Sequence, residues 1–244
     1  MKALLEAELL KLRTTRTFAA LIGTAIGISL LVLVLSTTLS DYDREQDVRA
    51  TFAGDFTGLF ILLLGAMGIA GEWRHRTITS TVLAAPDRLK LIVAKTISYA
   101  VAGVVVSFIV TSLLILVGTV ILSARDQTTI DFAAVVDIMW RNLIVAAYLG
   151  ALGVCVGAIV RSQVAAIVGL LIFSLVVEFT LFGLAPDVAK YMPFNGAPTG
   201  LQDVTFDDSE TEFLDPGVAG VVMFGWVAVL FAAGTVLLKR RDLT

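Results

Sequence analysis

Long apolar segments alternate with short charged segments along the chain. Residues 17–39 and 96–124 contain no Asp, Glu, Lys or Arg, and each exceeds the roughly 20 residues that a helix needs to cross a bilayer. The apolar runs are continuous rather than alternating, which favours helices over barrel strands. The pattern predicts an all-α integral membrane protein with six spans, at about residues 17–40, 56–71, 96–124, 139–160, 164–185 and 217–238.

Composition supports a membrane protein and excludes a water-soluble domain. Hydrophobic residues make up 57% of the chain and charged residues only 16%, and the mean hydropathy is +0.91. The chain has one cysteine, Cys155, and one histidine, His75, so it can form neither an intrachain disulfide nor a cysteine-based metal cluster. No internal repeat or linker is evident, and we expect residues 1–244 to form a single membrane domain.

The basic residues predict the orientation of the spans. Lys and Arg concentrate before the first span, in two loops and after the last span, and such an excess is typical of the cytoplasmic side. We therefore expect both termini in the cytoplasm and a multi-pass protein of the cell membrane. The basic side has Lys2, Lys11, Arg13, Arg16, Arg74, Arg76, Arg88, Lys90, Lys95, Arg161, Lys239, Arg240 and Arg241. The opposite side has only Arg44, Arg49, Arg125, Arg141 and Lys190 among many acidic residues.

The first 16 residues have an amphipathic helical pattern. Leucines recur on one broad face and charged residues lie mainly opposite, which predicts a helix along the inner membrane surface. Glu8 falls within the apolar arc, where it could pair with Lys11. The alternative is a basic tail that serves only topology.

The segment from Gly71 to Lys95 is the longest loop on the basic side. Threonines interrupt a helix after His75, Pro86 breaks it, and Asp87 can cap the helix that follows. A short helix between two turns is expected, which suits docking of a soluble partner. The alternative is a loop that only anchors the membrane topology.

A family resemblance rests on this loop. Glu72 closes a span, Arg74 and His75 precede a Thr-rich segment, and an Ala-Ala-Pro sequence with a basic residue leads into the next span. The loop resembles the first cytoplasmic loop of type-2 ATP-binding-cassette permeases. The basic first helix, the six spans and Glu178 before the last loop are also similar to bacterial, especially actinobacterial, members.

The resemblance implies a partner ATPase. The N-terminal helix would be an elbow, and the loop between spans 2 and 3 a coupling helix that docks on a separate ATP-binding-cassette ATPase subunit. The chain has no G-x-x-x-x-G-K-[ST] phosphate loop, so ATP and Mg would bind to the partner, and this chain would bind no cofactor. The implied coupling residues are Glu72, Trp73, Arg74, His75, Arg76, Thr77, Ile78, Thr79 and Leu83.

Glu178 lies within the fifth predicted span, where an ionisable group costs roughly 2.5–3.5 kcal/mol at the helix centre. One interpretation places it at an extracellular gate of a substrate path. The other gives it a structural hydrogen bond or an ion pair, for example with Arg141, which enters the fourth span from the same side.

Two further sequence features concern the outer loop and the packing of the helices. The outer loop at residues 186–216 mixes aromatic and acidic residues, and the resemblance implies short re-entrant or capping helices there. Gly23 and Gly27, and likewise Gly153 and Gly157, have the G-x-x-x-G spacing that allows close helix approach. This spacing is compatible with packing inside the chain or with a dimer seam.

The resemblance implies the permease subunit of an exporter, in which two permease copies, as a homodimer or a heterodimer, enclose a path in the lipid membrane and alternate its access. No nucleic-acid partner is expected. A membrane enzyme is a second possibility, but His75 has no catalytic partner set at suitable spacing, and no H-E-x-x-H or G-x-S-x-G motif is present. A non-catalytic scaffold or channel is the third.

Overall fold

The computed structural model describes residues 2–75, 77, 87–160, 162–204 and 212–240, without the side chains of residues 2, 3, 239 and 240. All regular elements in these ranges are helices. In chain order they are α1 (Lys2–Thr14), α2 (Arg16–Leu39), α3 (Glu45–Ala53), α4 (Thr57–Arg74), α5 (Arg88–Ala124), α6 (Phe132–Ile159), α7 (Gln163–Leu184), α8 (Pro186–Ala189), α9 (Gly196–Gln202) and α10 (Pro216–Arg240).

The prediction of six spans is confirmed. Among the described residues, six helical segments are long and apolar enough to cross a membrane: α2, α3 with α4, α5, α6, α7 and α10. α5 begins at Arg88, well before the uncharged stretch that starts at Thr96, so its first turns belong to the charged segment. α4 corresponds to the shortest predicted span and is preceded by α3, an amphipathic helix that the hydropathy pattern does not indicate.

Side-chain caps fix where three of the long helices begin. The Asp87 carboxylate accepts hydrogen bonds from the backbone N–H groups of Leu89 and Lys90, at 3.1 and 3.2 Å, as its position before α5 predicts. The bond from the Lys90 N–H, the largest influence, lowers the pKa of the Asp87 carboxyl. Asp131 caps α6 and Ser162 caps α7 in the same way.

α6 is the central helix of the bundle. In its most apolar window 72% of the residues are buried, against 17–33% in α2, α5, α7 and α10. α4 and α5 pack directly on it. The more exposed helices present large apolar side chains outward, including Leu31, Phe108, Val176 and Phe224, and such a surface requires a lipid or protein environment.

Glycines let α4 and α6 approach closely. A Cβ added to Gly65 would lie 2.5 Å from the Gly150 carbonyl oxygen, and one added to Gly153 would lie 2.1 Å from the Leu62 carbonyl oxygen. The Gly153 and Gly157 pair therefore packs inside the chain, whereas an added Cβ at Gly23 or Gly27 would meet no heavy atom within 4 Å. Cys155, which lies between Gly153 and Gly157, is buried.

We expect Gly153→Ala to destabilise the protein, because the new methyl group must displace backbone rather than a flexible side chain. The free energy of unfolding should fall by about 1–3 kcal/mol, as is typical of overpacking. Gly27→Ala is the matched control and should leave stability unchanged. Thermal unfolding midpoints of both variants in detergent check this, and equal midpoints would contradict the close approach of α4 and α6.

The two ends of the bundle carry different short helices. The α1 end carries α1, the end of α4 and the start of α5. The α9 end lies opposite and carries α3, α8 and α9. α7 crosses between them and contains a π-helical segment, Phe173–Val177, that ends just before Glu178.

Candidate functional site

Four charged side chains meet at the α1 end, and we call Glu8, Lys11, Glu72 and Lys95 the ion cluster. The Lys95 ammonium is completely buried and lies 2.8 Å from Glu8 Oε2 and 2.9 Å from Glu72 Oε1. Lys11 Nζ lies 3.0 Å from Glu8 Oε1 and 3.1 Å from Glu72 Oε1. Lys95 also donates to the Gly68 carbonyl oxygen, at 3.1 Å. The cluster thus joins α1, α4 and α5.

The charges of the ion cluster balance, with two carboxylates and two ammonium groups. A buried ammonium such as that of Lys95 is tolerated because both acids neutralise it and three oxygens accept its hydrogen bonds. Lys11 is more accessible, with 53% of its side chain exposed. Burial alone would lower the pKa of Lys11, but the carboxylates of Glu72 and Glu8 outweigh this effect and raise it.

Residues of the ion cluster lie on both sides of the loop between α4 and α5. Glu72 lies in the last turn of α4, and Lys95 lies two turns into α5. The start of α5 is also tied to the end of α10, because the Arg88 guanidinium donates to the Leu238 carbonyl oxygen at 2.7 Å. Both ends of the loop are therefore attached to the rest of the bundle, and a displacement of the loop would be transmitted to α1 and α10.

The nine residues of the predicted coupling segment differ in their surroundings. Glu72 belongs to the ion cluster, and Trp73 packs against a small apolar cluster that includes Ile69 and Leu238. Arg74, His75 and Thr77 are exposed. Arg76, Ile78, Thr79 and Leu83 lie outside the described residues.

A cavity of about 530 Å³ adjoins the ion cluster. Its walls come from α1, the first turn of α2, the second half of α4, α5 and the first residue of α7. The polar lining includes Glu8, Glu72 and Gln163, and the apolar lining includes Phe18 and Leu64. The cavity runs along α4 from the end of the helix toward the middle of the bundle.

Glu178 organises the α9 end. Its side chain is completely buried, and its carboxylate accepts three hydrogen bonds: from the Phe194 N–H at 3.0 Å, the Asn195 N–H at 2.6 Å and Asn195 Nδ2 at 2.8 Å. Three N–H donors stabilise the negative charge of this carboxylate. Asn195 Nδ2 also donates to the Ser174 carbonyl oxygen at 2.9 Å, which joins the connection between α8 and α9 to the π-helical segment.

The hypothesis of an ion pair between Glu178 and Arg141 is wrong. Arg141 instead binds Asp137, one turn earlier on α6, at 2.9 Å, and donates to the Leu201 carbonyl oxygen at 2.8 Å. Asp203 is 3.4 Å from the same guanidinium. The acid one turn away satisfies Arg141 locally, and the described part of the chain has no salt bridge between Arg141 and Glu178.

Amide side chains complete the contacts of the α9 end. Gln202 Nε2 donates to the Ala53 carbonyl oxygen at 2.9 Å and to Asn142 Oδ1 at 2.8 Å. The Tyr148 hydroxyl donates to the Pro193 carbonyl oxygen at 2.9 Å. The hydropathy pattern does not single out these amides or Tyr148, although the polar Asn142 within an apolar run is a usable signal. A second cavity, of about 270 Å³, lies between these groups and α7.

A family model described as ABC-2 family transporter protein matches residues 29–243, and the chain therefore belongs to this family of ATP-binding-cassette membrane subunits. The resemblance drawn from the loop is confirmed at the level of the family. No curated protein matches the chain significantly. The chain is thus a multi-pass membrane protein of the ABC permease type, a kind of subunit that typically works with an ABC ATPase and has no cofactor of its own.

Proposed function

We propose that the chain is the permease subunit of an ATP-driven exporter in the cell membrane, powered by a separate ATPase subunit. The α1 end faces the cytoplasm, with both termini, because the Lys and Arg excess lies there. The observation that carries the proposal is the ion cluster. It connects the loop that would dock on the ATPase to three helices of the bundle.

ATP binding would draw two ATPase subunits together and displace the loops docked on them. Because Glu72 and Lys95 flank the loop, its motion passes directly into α4 and α5, and through Glu8 into α1. Packed helices switch between discrete arrangements rather than deform continuously, so such a displacement favours rigid-body motion. Two permease copies would then open their shared path alternately to the two sides of the membrane.

At the α9 end, α8 and α9 would close the path. Glu178 would act as a positioning residue, because it holds the Phe194 and Asn195 backbone rather than facing open space. Asn195 also bonds Ser174 in the π-helical segment, and π-helical turns often occur at functional sites. Motion of α7 at the π-helical segment would therefore also move α8 and α9. Arg141, bound to the Leu201 carbonyl oxygen, would anchor the same segment to α6.

Affinity purification in mild detergent, followed by mass spectrometry and an ATP hydrolysis assay, tests the proposal. We expect an ATP-binding-cassette ATPase in stoichiometric amount and measurable hydrolysis. Substitution of the exposed Arg74 by Glu should weaken this association without reducing the yield of the permease. Gln46→Glu, on the exposed face of α3 at the opposite end, is the control. A chain that purifies without any ATPase would favour the scaffold or enzyme alternatives.

A further inference from the structure

The second cavity, of about 270 Å³ at the α9 end, has an acidic side chain in its wall, Asp55. This residue precedes α4 within a helical segment that is apolar enough to cross the membrane, and it is only half-buried. Its carboxylate accepts hydrogen bonds from two uncharged donors, the Thr57 N–H at 3.0 Å and the Thr111 hydroxyl at 3.3 Å. A carboxylate has about four lone-pair sites, so Asp55 can accept further hydrogen bonds.

The charge of Asp55 is not balanced by a cation of the cavity wall. The described residues that line the cavity include no Lys, Arg or His. In contrast, Glu8 and Glu72 of the ion cluster lie against the Lys95 ammonium. An acid within a membrane span is costly and often marks a ligand path, and a cationic ligand would stabilise this one.

Three neutral side chains of the same wall also have unused acceptors. Asn195 and Gln202 use their amide N–H₂ groups within the protein. Asn195 Oδ1, Gln202 Oε1 and Thr199 Oγ1 form no hydrogen bond with the described residues, and all three atoms retain accessible surface. Thr199 and Gln202 are three residues apart and therefore share a face of α9. Free acceptors beside committed N–H₂ groups favour a ligand that brings its own N–H donors.

A chain of hydrogen bonds fixes Asp55 and Gln202 in one wall. Thr111 donates to Asp55 and accepts from Asn142 Nδ2 at 3.3 Å. Asn142 Oδ1 in turn accepts from Gln202 Nε2 at 2.8 Å. The polar wall is therefore built before any ligand arrives, which lowers the ordering cost of binding.

Phenylalanine rings form the rest of the cavity. Phe56, Phe179 and Phe194 line it, and an aromatic face attracts a cation as well as an apolar group. Phe194 is buried, whereas Leu175 and Phe179 of α7 are 47% and 59% exposed, so the rim toward α7 is apolar. The volume lies just below the range of roughly 300–1,000 Å³ found for small-molecule sites, which favours a small ligand.

We propose that the second cavity binds a primary ammonium group on a small aromatic or apolar body. The ammonium donates to the Asp55 carboxylate and to the oxygens of Thr199 and Gln202, while the body packs against Phe179 and Phe194. An anion is excluded, because Asp55 would repel it. The site adjoins α9, and its role as a cargo site on the outer side rests on the proposed function, whereas the binding itself does not.

Equilibrium binding of radiolabelled phenethylamine to the purified full-length chain in lipid nanodiscs tests the proposal, with empty nanodiscs as background. The competitors 2-phenylethanol and phenethyltrimethylammonium have the same body, but the first lacks the charge and the second lacks N–H donors. We expect saturable binding of phenethylamine that neither competitor displaces at equal concentration. Asp55→Asn should weaken the binding at least tenfold, because it removes the charge but keeps an oxygen for the Thr57 N–H. Thr199→Val should weaken it about threefold. The control Glu45→Gln, an exposed acid at the same end, should not.

Three results would overturn the proposal: no saturable binding, equal displacement by either competitor, or unchanged affinity in Asp55→Asn. If Asp55→Asn does not fold, Thr199→Val decides the matter, because Thr199 takes no part in the hydrogen-bond chain between Asp55 and Gln202, and unchanged affinity there contradicts the site. The assay needs no ATPase, so failure of amine binding leaves the proposed permease function standing. Conversely, amine binding by a chain without any ATPase partner would support the site and contradict its role in export.

Discussion

Replacement of Lys95 by Met should cause the largest loss of stability and of ATPase association. The substitution keeps an unbranched side chain of similar length but leaves Glu8 and Glu72 buried with Lys11 as their only cation in the ion cluster. Removal of one partner from a buried ion pair typically costs about 3–5 kcal/mol. We expect a much lower unfolding midpoint in detergent and a reduced yield of the complex.

Two further variants identify the cause of the destabilisation expected for Lys95→Met. Lys90→Met removes a lysine from the same helix, but its side chain is 62% exposed and pairs with the exposed Asp87, so stability should change by less than about 1 kcal/mol. In the double variant Glu8→Gln with Lys95→Met, one buried charge of each sign is removed. Its midpoint should lie above that of Lys95→Met alone. A double variant that is no more stable would show that lost packing, rather than unpaired charge, causes the effect.

The second large effect is expected at Glu178. Glu178→Ala leaves the Phe194 and Asn195 N–H groups without their acceptor, and each unsatisfied buried donor costs about 1–3 kcal/mol. Glu178→Gln retains one oxygen but turns an amide N–H₂ toward N–H donors, so it should also destabilise the α9 end. We expect less folded protein in both variants, measured by size-exclusion chromatography and by the unfolding midpoint.

The matched control is Glu45→Gln, because Glu45 is an exposed acid of α3 at the same end of the bundle. It should have no measurable effect. If Glu178→Gln folds with normal stability but abolishes transport, the carboxylate has a direct role in the path rather than the positioning role that its three hydrogen bonds support. Asn195→Ala should reproduce part of the loss, since it removes the Nδ2 donor to Glu178 and to the Ser174 carbonyl oxygen but keeps the backbone N–H.

Hydropathy predicted the spans because insertion into a bilayer depends on local composition. The same reasoning missed α3, whose nine residues have a charged start and are too short for a hydropathy signal. Its apolar residues Val48 and Phe52 are four apart and completely buried, a helical spacing that the acidic surroundings obscured. Short amphipathic helices at the ends of a bundle therefore need a search for periodicity rather than for hydropathy.

The ion cluster was only partly predictable. Glu8 and Lys11 are three residues apart, a helical spacing that allows them to pair. Lys95 is 87 residues from Glu8 and 23 from Glu72, and no local pattern indicates that these side chains meet. Lys95 was interpreted as a basic residue of the loop.

The contacts of Glu178 could not be predicted from the sequence for a similar reason. A buried acid within a span demands compensation, and the sequence suggested Arg141 as the cation. The structure compensates the charge with the Asn195 side chain and with two backbone N–H groups of the segment between α8 and α9, and backbone groups carry no side-chain signature. Arg141 has a closer acid in Asp137, and a local pair at four residues' separation requires less ordering than a distant one.

The most direct test of the central claim measures access to the α1-end cavity as a function of ATP. Met67→Cys places a thiol in the cavity, and Cys155→Ser removes the native thiol. The chain is purified with its ATPase in nanodiscs, and labelling by a polar maleimide is timed with and without ATP and vanadate. Leu10→Cys, at an exposed position of α1, is the control. We expect ATP and vanadate to slow labelling at position 67 severalfold and to leave position 10 unchanged, whereas equal rates at position 67 would contradict ATP-driven alternating access.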